Sequence, residues 1–210
     1  MRAAEELFIR NGIDGTQIRE INELAGQKNP SAIHYHFGSK RGLVRAILRR
    51  HQEAIEVEVR RRLDDLLAEG KTSVRDLIEA MVRPLCRELQ TPSGRNFLRI
   101  VPFYIPELDT NLRQGIAHPA TSQAARLLGL LEGRLQHLPE AVKRERLVAY
   151  TLVIANILAD RARHLEDGPP TSLGDEEFVV HLLDTTEAVV TAPSHLEQIQ
   201  DFAPPAAKKL

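Results

Sequence analysis

The stretch from Thr16 to Leu48 constrains the fold most, because it contains two short amphipathic segments, a tight turn between them and the start of a longer segment. Thr16 is a good N-cap for the first segment, in which apolar residues recur at helical spacing. Gly26 can adopt the left-handed conformation that ends a helix. The pattern therefore predicts a helix, a tight turn and a second helix.

The second segment, about Ser31–Phe37, has an apolar side and a polar side. Ile33 and Phe37 lie four residues apart and can pack inward together. The other residues in and just before this segment are small or carry hydrogen-bonding groups: Lys28, Asn29, Ser31, Ala32, His34, Tyr35 and His36. Such a surface suits base edges and phosphates, so we expect this helix to lie in the major groove of DNA.

A third helix is predicted to follow directly, since Gly38 can end the second one and Ser39 can cap the next. Lys40 and Arg41 then stand in its first turn, where cations interact unfavourably with the helix dipole. Phosphates nearby would remove that cost, which also favours contact with DNA.

A set of residues in this part of the chain has the identities and order found in a known family: Ala4, Leu7, Phe8, Gly12, Thr16, Ile21, Ala25, Gly26, Tyr35, His36, Phe37, Ser39, Lys40, Leu43, Ala46 and Ile47. The sequence thereby resembles the TetR family of transcriptional regulators over about its first 50 residues. By position, the resemblance implies phosphate contacts by Thr16, Gln17, Tyr35 and Lys40. It implies contacts with base edges by residues 29–34.

The chain differs from the family pattern at several positions. His34 stands where the family usually has a tyrosine, so the phosphate contact of that tyrosine is open here. Asn22 replaces a common alanine, and the turn at residues 27–30 is one residue longer than usual. The sequence also begins inside the first helix, so the usual short basic arm is either absent or missing from its start.

A plainer interpretation is that the helix-turn-helix pattern arose by chance in a helical protein. His34 and His36 would then be ordinary surface histidines. Because they are two residues apart, they lie on different faces of a helix, and no metal site is predicted there.

Composition and charge fit a DNA-binding protein of the cytoplasm. No apolar run approaches the roughly 20 residues of a membrane span, and the N-terminus lacks a signal-peptide segment. The single cysteine, Cys86, cannot form an internal disulfide, which fits a reducing compartment. Residues 1–63 carry a net charge of +4 and the remainder carries −5, so a basic head is joined to an acidic body.

The periodicity predicts an all-α protein of two parts. Residues 1–48 form a helix-turn-helix head, and its last helix continues as a connector to about residue 68. Residues 70–192 form a helical regulatory and dimerisation body, and residues 193–210 form a flexible tail. Within the body, Pro84 is expected to kink a helix, residues 91–94 to form a loop, and Pro102 and Pro106 to break an apolar segment.

That apolar segment, residues 96–105, has two interpretations: a bent part of the core or the lining of a cavity for an apolar ligand. The candidate ligand-binding residues are Met81, Leu85, Phe97, Ile100, Val101, Tyr104, Leu127 and Leu131. In the resembled family the last two long helices pair with those of a second subunit. The candidate dimerisation residues are Leu147, Ile154, Leu158, Phe178, Leu182 and Val189.

The resemblance therefore implies a homodimeric repressor that binds a palindromic operator on bacterial DNA and is released by a small apolar ligand. A ligand-independent dimeric regulator is the first alternative. A helical enzyme or binding module without DNA binding is the second, although no nucleotide, metalloprotease or serine-nucleophile motif is present. We expect no enzymatic activity, no cofactor and no metal.

Overall fold

The computed structural model describes residues 1–27, 29, 31–113, 122–169 and 172–195, apart from the side chains of Ala32 and residues 105–113. The protein is all-α, as predicted, with no strand in these ranges. Nine α-helices lie there: α1 Arg2–Gly15, α2 Ile18–Leu24, α3 Ala32–Phe37, α4 Lys40–Ala68, α5 Val74–Arg87, α6 Pro92–Arg113, α7 Gln123–Arg134, α8 Glu140–Asp167 and α9 Asp175–Thr191. A 3₁₀ turn, Glu88–Gln90, joins α5 to the segment before α6.

The first three helices pack against the start of α4 to form the head. Their shared core consists of apolar residues that are at most 8% exposed: Ala4, Leu7, Phe8, Ile21, Ile33, Leu43, Val44, Ile47 and Leu48. Because α1 also packs on α6, the head rests directly on the body.

Helix α4 connects the two parts, running unbroken for 29 residues. Its buried side includes Ile55, Val59 and Leu63. Leu66 is half-buried and Leu67 is 37% exposed. The buried stripe ends about one turn before the helix does.

Helix α5 begins with a capping box. The Ser73 hydroxyl accepts from the Asp76 N–H at 3.1 Å, and the Asp76 carboxylate accepts from the Ser73 N–H at 3.1 Å. The helix continues through Pro84 to Arg87.

The predicted loop at residues 91–94 is wrong, because α6 begins at Pro92. Thr91 caps this helix: its hydroxyl accepts from the Gly94 N–H at 3.0 Å. Proline at the first helical position needs no hydrogen-bond partner for its nitrogen, so Thr91 and Pro92 form a helix start. Nor do Pro102 and Pro106 break the segment, since α6 runs through both to Arg113.

The body is built around α6 and α8, which pack along each other, and α9 packs on α5 and α8. Helix α7 ends at Arg134, and Leu135 and Leu138 are buried in the turn that follows it. None of the helices in the described ranges is long and apolar enough to cross a membrane. Most of the predicted tail, residues 196–210, lies outside the described part of the chain.

Candidate nucleic-acid interface

The joint between α1 and α2 is set by Gly12 and Thr16. Gly12 has φ +74°, which interrupts the helical conformation one turn before α1 ends. The Thr16 hydroxyl donates to the carbonyl oxygens of Gly12 at 2.8 Å and Leu7 at 3.1 Å, and the residue is 1% exposed. Thr16 therefore satisfies carbonyls at the end of α1 and is not the N-cap of α2. Gln17 takes that place, with its N–H donating to the Glu20 carboxylate at 2.7 Å.

The turn after α2 is a Schellman motif centred on Gly26, which has φ +63°. The Gly26 N–H donates to the Glu23 carbonyl at 3.0 Å, and the Gln27 N–H donates to the Asn22 carbonyl at 2.8 Å. Gly26 thus ends the helix as predicted. Helices α2 and α3 then pack against each other.

Helix α3 is anchored by one side and exposes the other. Ile33 is 6% exposed and Phe37 is half-buried, so both pack inward as predicted. His34, Tyr35 and His36 are exposed, and Tyr35 reaches 86% exposure. The rings of Tyr35 and His36 meet edge-to-face with centroids 5.1 Å apart. Ser31 precedes the helix, and its N–H donates to the Asn29 side-chain oxygen at 2.9 Å.

The position of α3 on α4 depends on a close backbone approach at Gly42. Ser39 caps α4 as predicted, its hydroxyl accepting from the Gly42 N–H at 3.0 Å. A Cβ added at Gly42 would lie 1.9 Å from the Phe37 carbonyl oxygen. Gly42 therefore lets the end of α3 sit directly against α4. Residue periodicity did not single it out, although a glycine inside a helical pattern often marks such an approach.

Lys40 joins the start of α4 to the end of α1. Its ammonium donates to the carbonyl oxygens of Asp14 at 3.1 Å and Thr16 at 3.0 Å. A cation at these carbonyls interacts favourably with the end of α1. An ammonium has three donors, so one remains for a phosphate.

The structure brings most of the predicted DNA-binding residues to one end of the head. The residues with exposed side chains are Gln17, Asn29, Ser31, His34, Tyr35 and His36. Lys40 is half-buried and Thr16 is buried, so the Thr16 side chain cannot reach a phosphate without leaving its two carbonyl partners. Lys28 and the side chain of Ala32 lie outside the described part of the chain.

Two short helices joined by a tight turn, the second anchored on a third and exposing a polar side, define a helix-turn-helix DNA-binding protein. Residues 1–47 match the family model described as bacterial regulatory proteins, tetR family. This match supports membership of the TetR family and a TetR-type DNA-binding regulator. Among curated proteins, none matches the chain.

The candidate ligand-binding residues lie mainly in the core of the body. Phe97, Ile100, Leu127 and Leu131 are at most 3% exposed. The other four, Met81, Leu85, Val101 and Tyr104, are half-buried. A cleft of about 400 Å³ lies between the end of α1, α4 and α6, and one of about 770 Å³ lies between α1, the start of α6 and the end of α8. Of the eight candidates, only Tyr104 lines either cleft.

The candidate dimerisation residues are largely used within one chain. Leu147, Ile154, Leu158, Phe178 and Leu182 are at most 7% exposed in the single chain, and Val189 is half-buried. These side chains hold α8 and α9 against the rest of the protomer. A second subunit would therefore have to pack on other residues of the same helices.

Among its described residues, the body has neither a metal-ligand cluster nor a reactive thiol. Among the described residues, no group of three or more His, Cys, Asp or Glu side chains is arranged to hold a metal ion. Burial raises the pKa of the Cys86 thiol to about 12, which keeps it protonated and unreactive in the folded protein.

Proposed function

We propose that the protein is a homodimeric transcriptional repressor that places α3 in the major groove of a palindromic operator in the bacterial cytoplasm. The observation that carries this proposal is the exposed polar side of α3, anchored through Ile33 and Gly42 inside the region matched by the family model. Base readout requires a recognition helix in a fixed position, and the buried anchor provides that position.

Within this proposal the residues divide by role. Gln17, Tyr35 and the free donor of Lys40 contact phosphates, together with Lys28. Asn29, Ser31 and Ala32 lie against base edges, with His34 and His36 beside them. Phosphate contacts fix the position of the head on DNA, and base contacts select the sequence. The Thr16 side chain is no longer part of this set.

The dimer is proposed to form through the outward sides of α8 and α9. These sides retain apolar surface: Leu152 and Val153 are half-buried, and Val180 is 42% exposed. A two-fold arrangement would place two copies of α3 in successive major grooves, about 34 Å apart or a multiple of that distance. Leu152→Glu would place a charge on this apolar surface and should therefore weaken both dimerisation and operator binding.

The test is a titration of the protein onto DNA from upstream of its own gene and onto unrelated DNA, at several salt concentrations. We expect tight, salt-dependent and selective binding. Tyr35→Phe should weaken binding on both DNAs, because it removes a phosphate contact, whereas His34→Ala should reduce the preference for the operator. Equal, weak binding to both DNAs by the wild-type protein and by an N-terminally extended form would count against the proposal.

We further propose that a small apolar ligand between α5, α6 and α7 favours a head arrangement that no longer fits the operator. The half-buried Met81, Leu85 and Val101 support such a site, since apolar side chains that are not fully enclosed can move to admit a ligand, methionine most readily. Only a ligand with different affinities for the two arrangements can shift their equilibrium.

The second candidate is a regulator without a ligand, and the burial of Phe97, Ile100, Leu127 and Leu131 favours it, because these side chains already fill the space between the helices. Thermal-shift measurements with a series of apolar compounds separate the two. A compound that raises the melting temperature and releases operator DNA supports ligand control. If compounds that stabilise the protein never weaken operator binding, the ligand-independent regulator is favoured.

A further inference from the structure

Residues 24–52 contain no acidic residue, yet they contain six lysines and arginines: Lys28, Lys40, Arg41, Arg45, Arg49 and Arg50. This range begins in the last turn of α2 and ends in the fourth turn of α4. It therefore extends well past the helix-turn-helix itself. The excess positive charge of the head is concentrated there.

Arg41, Arg45 and Arg49 follow one another at four-residue intervals, so they lie on one side of α4 over about 12 Å. All three are exposed, and they lie opposite the buried side formed by Leu43, Val44, Ile47 and Leu48. We call these three residues the α4 arginine stripe.

Arg45 and Arg49 of this stripe differ from the arginines of the body. Every body arginine whose side chain the structure describes is paired with a carboxylate or donates to a main-chain carbonyl; these are Arg75, Arg83, Arg87, Arg95, Arg99, Arg126, Arg134, Arg144, Arg146, Arg161 and Arg163. Arg45 and Arg49 make no ion pair or hydrogen bond within the described part of the chain. Two adjacent turns of α4 therefore carry charges that no described residue of the protein neutralises.

This arrangement is unfavourable for the isolated helix. Like charges four residues apart destabilise a helix by about 0.2–0.5 kcal/mol for each pair. Positive charges near the start of α4 add a further unfavourable interaction with its dipole. A polyanion lying along this side would offset these terms, because each guanidinium would gain an attraction to a phosphate.

We propose that Arg45 and Arg49 extend the DNA interface along α4 and contact phosphates that flank the base pairs contacted by α3. This inference rests on the proposed DNA binding, because the stripe begins one residue after Lys40, next to the α3 surface. The occupant is inferred to be DNA backbone because the exposed side chains of the stripe are guanidinium groups with no exposed apolar residue among them. Guanidinium groups bind phosphates through paired hydrogen bonds and carry no base preference from this position.

The test compares the salt dependence of operator binding for Arg45→Gln, Arg49→Gln and the double variant. Arg60→Gln is the matched control, because Arg60 is also exposed on α4 and unpaired among the described residues, but lies about 16 Å beyond Arg49. Each lost phosphate contact should reduce the slope of log K against log salt by about 0.9. The double variant should therefore lose about 1.8 per subunit, with no change in preference between operator and unrelated DNA.

A second measurement varies the length of DNA on either side of the operator. The difference between the wild-type protein and the double variant should disappear when the flanking base pairs are removed, because the phosphates that the stripe contacts are then missing. Unfolding midpoints of all variants should be no lower than that of the wild type, which separates loss of contact from loss of fold.

The outcomes distinguish this inference from the function on which it rests. If the wild-type protein shows no salt-dependent DNA binding, both are overturned. If it binds selectively and the double variant has the same salt slope as Arg60→Gln and the wild type, only the α4 arginine stripe is overturned. A lower slope for Arg60→Gln as well would assign the effect to overall charge and also overturn the stripe.

Discussion

At the end of α1, two side chains suited to phosphate contacts are bound to carbonyl oxygens of the protein. The Thr16 hydroxyl donates to Leu7 and Gly12, and the Lys40 ammonium donates to Asp14 and Thr16. Both residues therefore fix the angle between α1 and the helices that follow. Thr16 acts entirely inside the protein, whereas Lys40 keeps one donor for an outside partner.

Thr16→Val tests the inward role of the hydroxyl. Valine has a similar shape but cannot donate, so the carbonyls of Leu7 and Gly12 lose a partner, and we expect the free energy of unfolding to fall by about 1–2 kcal/mol. Urea denaturation measures this change. The salt slope of DNA binding should stay at the wild-type value, because the hydroxyl does not touch DNA. Unchanged stability with a lower slope would restore the phosphate contact that the sequence implied.

A pair of glycine-to-alanine changes tests the approach of α3 to α4. Gly42→Ala should destabilise the protein by about 1–3 kcal/mol, because its Cβ would lie 1.9 Å from the Phe37 carbonyl oxygen and the helices would have to separate. Gly129→Ala, on an exposed position of α7 with nothing within 4 Å of the added Cβ, should stabilise it by about 0.5–1 kcal/mol.

Differential scanning calorimetry of the two variants gives the sign directly. Opposite signs for the same chemical change support the close approach at Gly42, and DNA affinity should fall only for Gly42→Ala. Stabilisation in both variants would mean that α3 is not held against α4 in this way.

Single residues also show how far the sequence predicts the site. Spacing alone identified Ile33 and Phe37 as the anchors of α3, since four-residue spacing puts them on one side of a helix. The same kind of reasoning misplaced Thr16, because a threonine after a glycine can either cap the next helix or satisfy carbonyls of the previous one. Which of the two occurs depends on how the chain bends at Gly12, and the spacing of residues in the sequence does not determine that bend.

At the scale of the element, α6 shows where prediction from the sequence fails. Prolines at positions 92, 102 and 106 favour a loop and breaks, but the structure has one helix from Pro92 to Arg113. Thr91 and Pro92 form a favourable start, and burial of Phe97, Leu98 and Ile100 holds the helix against its neighbours. Each interior proline removes one backbone hydrogen bond, a local cost that this packing exceeds. Local propensity was visible in the sequence, whereas the packing that overrides it was not.

Helix α4 carries an ion-pair cluster that makes stability depend on pH. The Glu58 carboxylate is 2.8 Å from Arg61, 2.9 Å from Arg62 and 3.1 Å from Arg87. The hydrogen bond from Arg61, helped by those of its neighbours, lowers the pKa of Glu58 from 4.5 to about 2. A carboxyl group with a lowered pKa in the folded state stabilises the protein above its unfolded pKa, and loses that effect as the pH falls through the folded value.

Glu58→Gln removes this contribution. The wild-type protein should therefore be more stable than the variant at pH 6, and the difference should shrink as the pH falls from about 4.5 towards 2. Urea midpoints between pH 6 and pH 3 measure the effect. Glu53→Gln, at an exposed residue of the same helix, is the control for losing one negative charge. A difference that stays constant over this range for Glu58→Gln would contradict the ion-pair explanation.

At the scale of the whole molecule, a polar cluster joins the head, the connector and the body. The Arg50 guanidinium donates to the Ser93 hydroxyl at 2.6 Å and lies 3.5 Å from the Glu5 carboxylate of α1. The neighbouring His51 is 2.6 Å from the Glu88 carboxylate, and its ring stacks on Phe97 with centroids 4.8 Å apart. Any tilt of the head on the body must change these contacts, so a regulatory movement of the head would have to break or rearrange this cluster.

The Glu5–Arg50 pair should respond unequally to removal of its two partners. Glu5 is 2% exposed and its Oε1 atom accepts no hydrogen bond among the described residues, whereas the Arg50 side chain is 48% exposed. Arg50→Ala leaves a buried carboxylate without its cation and should destabilise the protein by about 1–2 kcal/mol. Glu5→Gln leaves an arginine that water can solvate, so its cost should be near zero.

A double-mutant cycle, measured by chemical denaturation, tests this asymmetry. The combined Glu5→Gln, Arg50→Ala protein should be more stable than Arg50→Ala alone, because it lacks the buried carboxylate that Arg50→Ala leaves unpaired. The contact with Ser93 is lost in both proteins and cancels from the comparison. Equal stabilities would mean that the loss in Arg50→Ala comes from Ser93 and not from Glu5. A recovery of stability when Glu5→Gln is added to Arg50→Ala would show that the Glu5 carboxylate, in α1 of the head, interacts with Arg50 in the α4 connector.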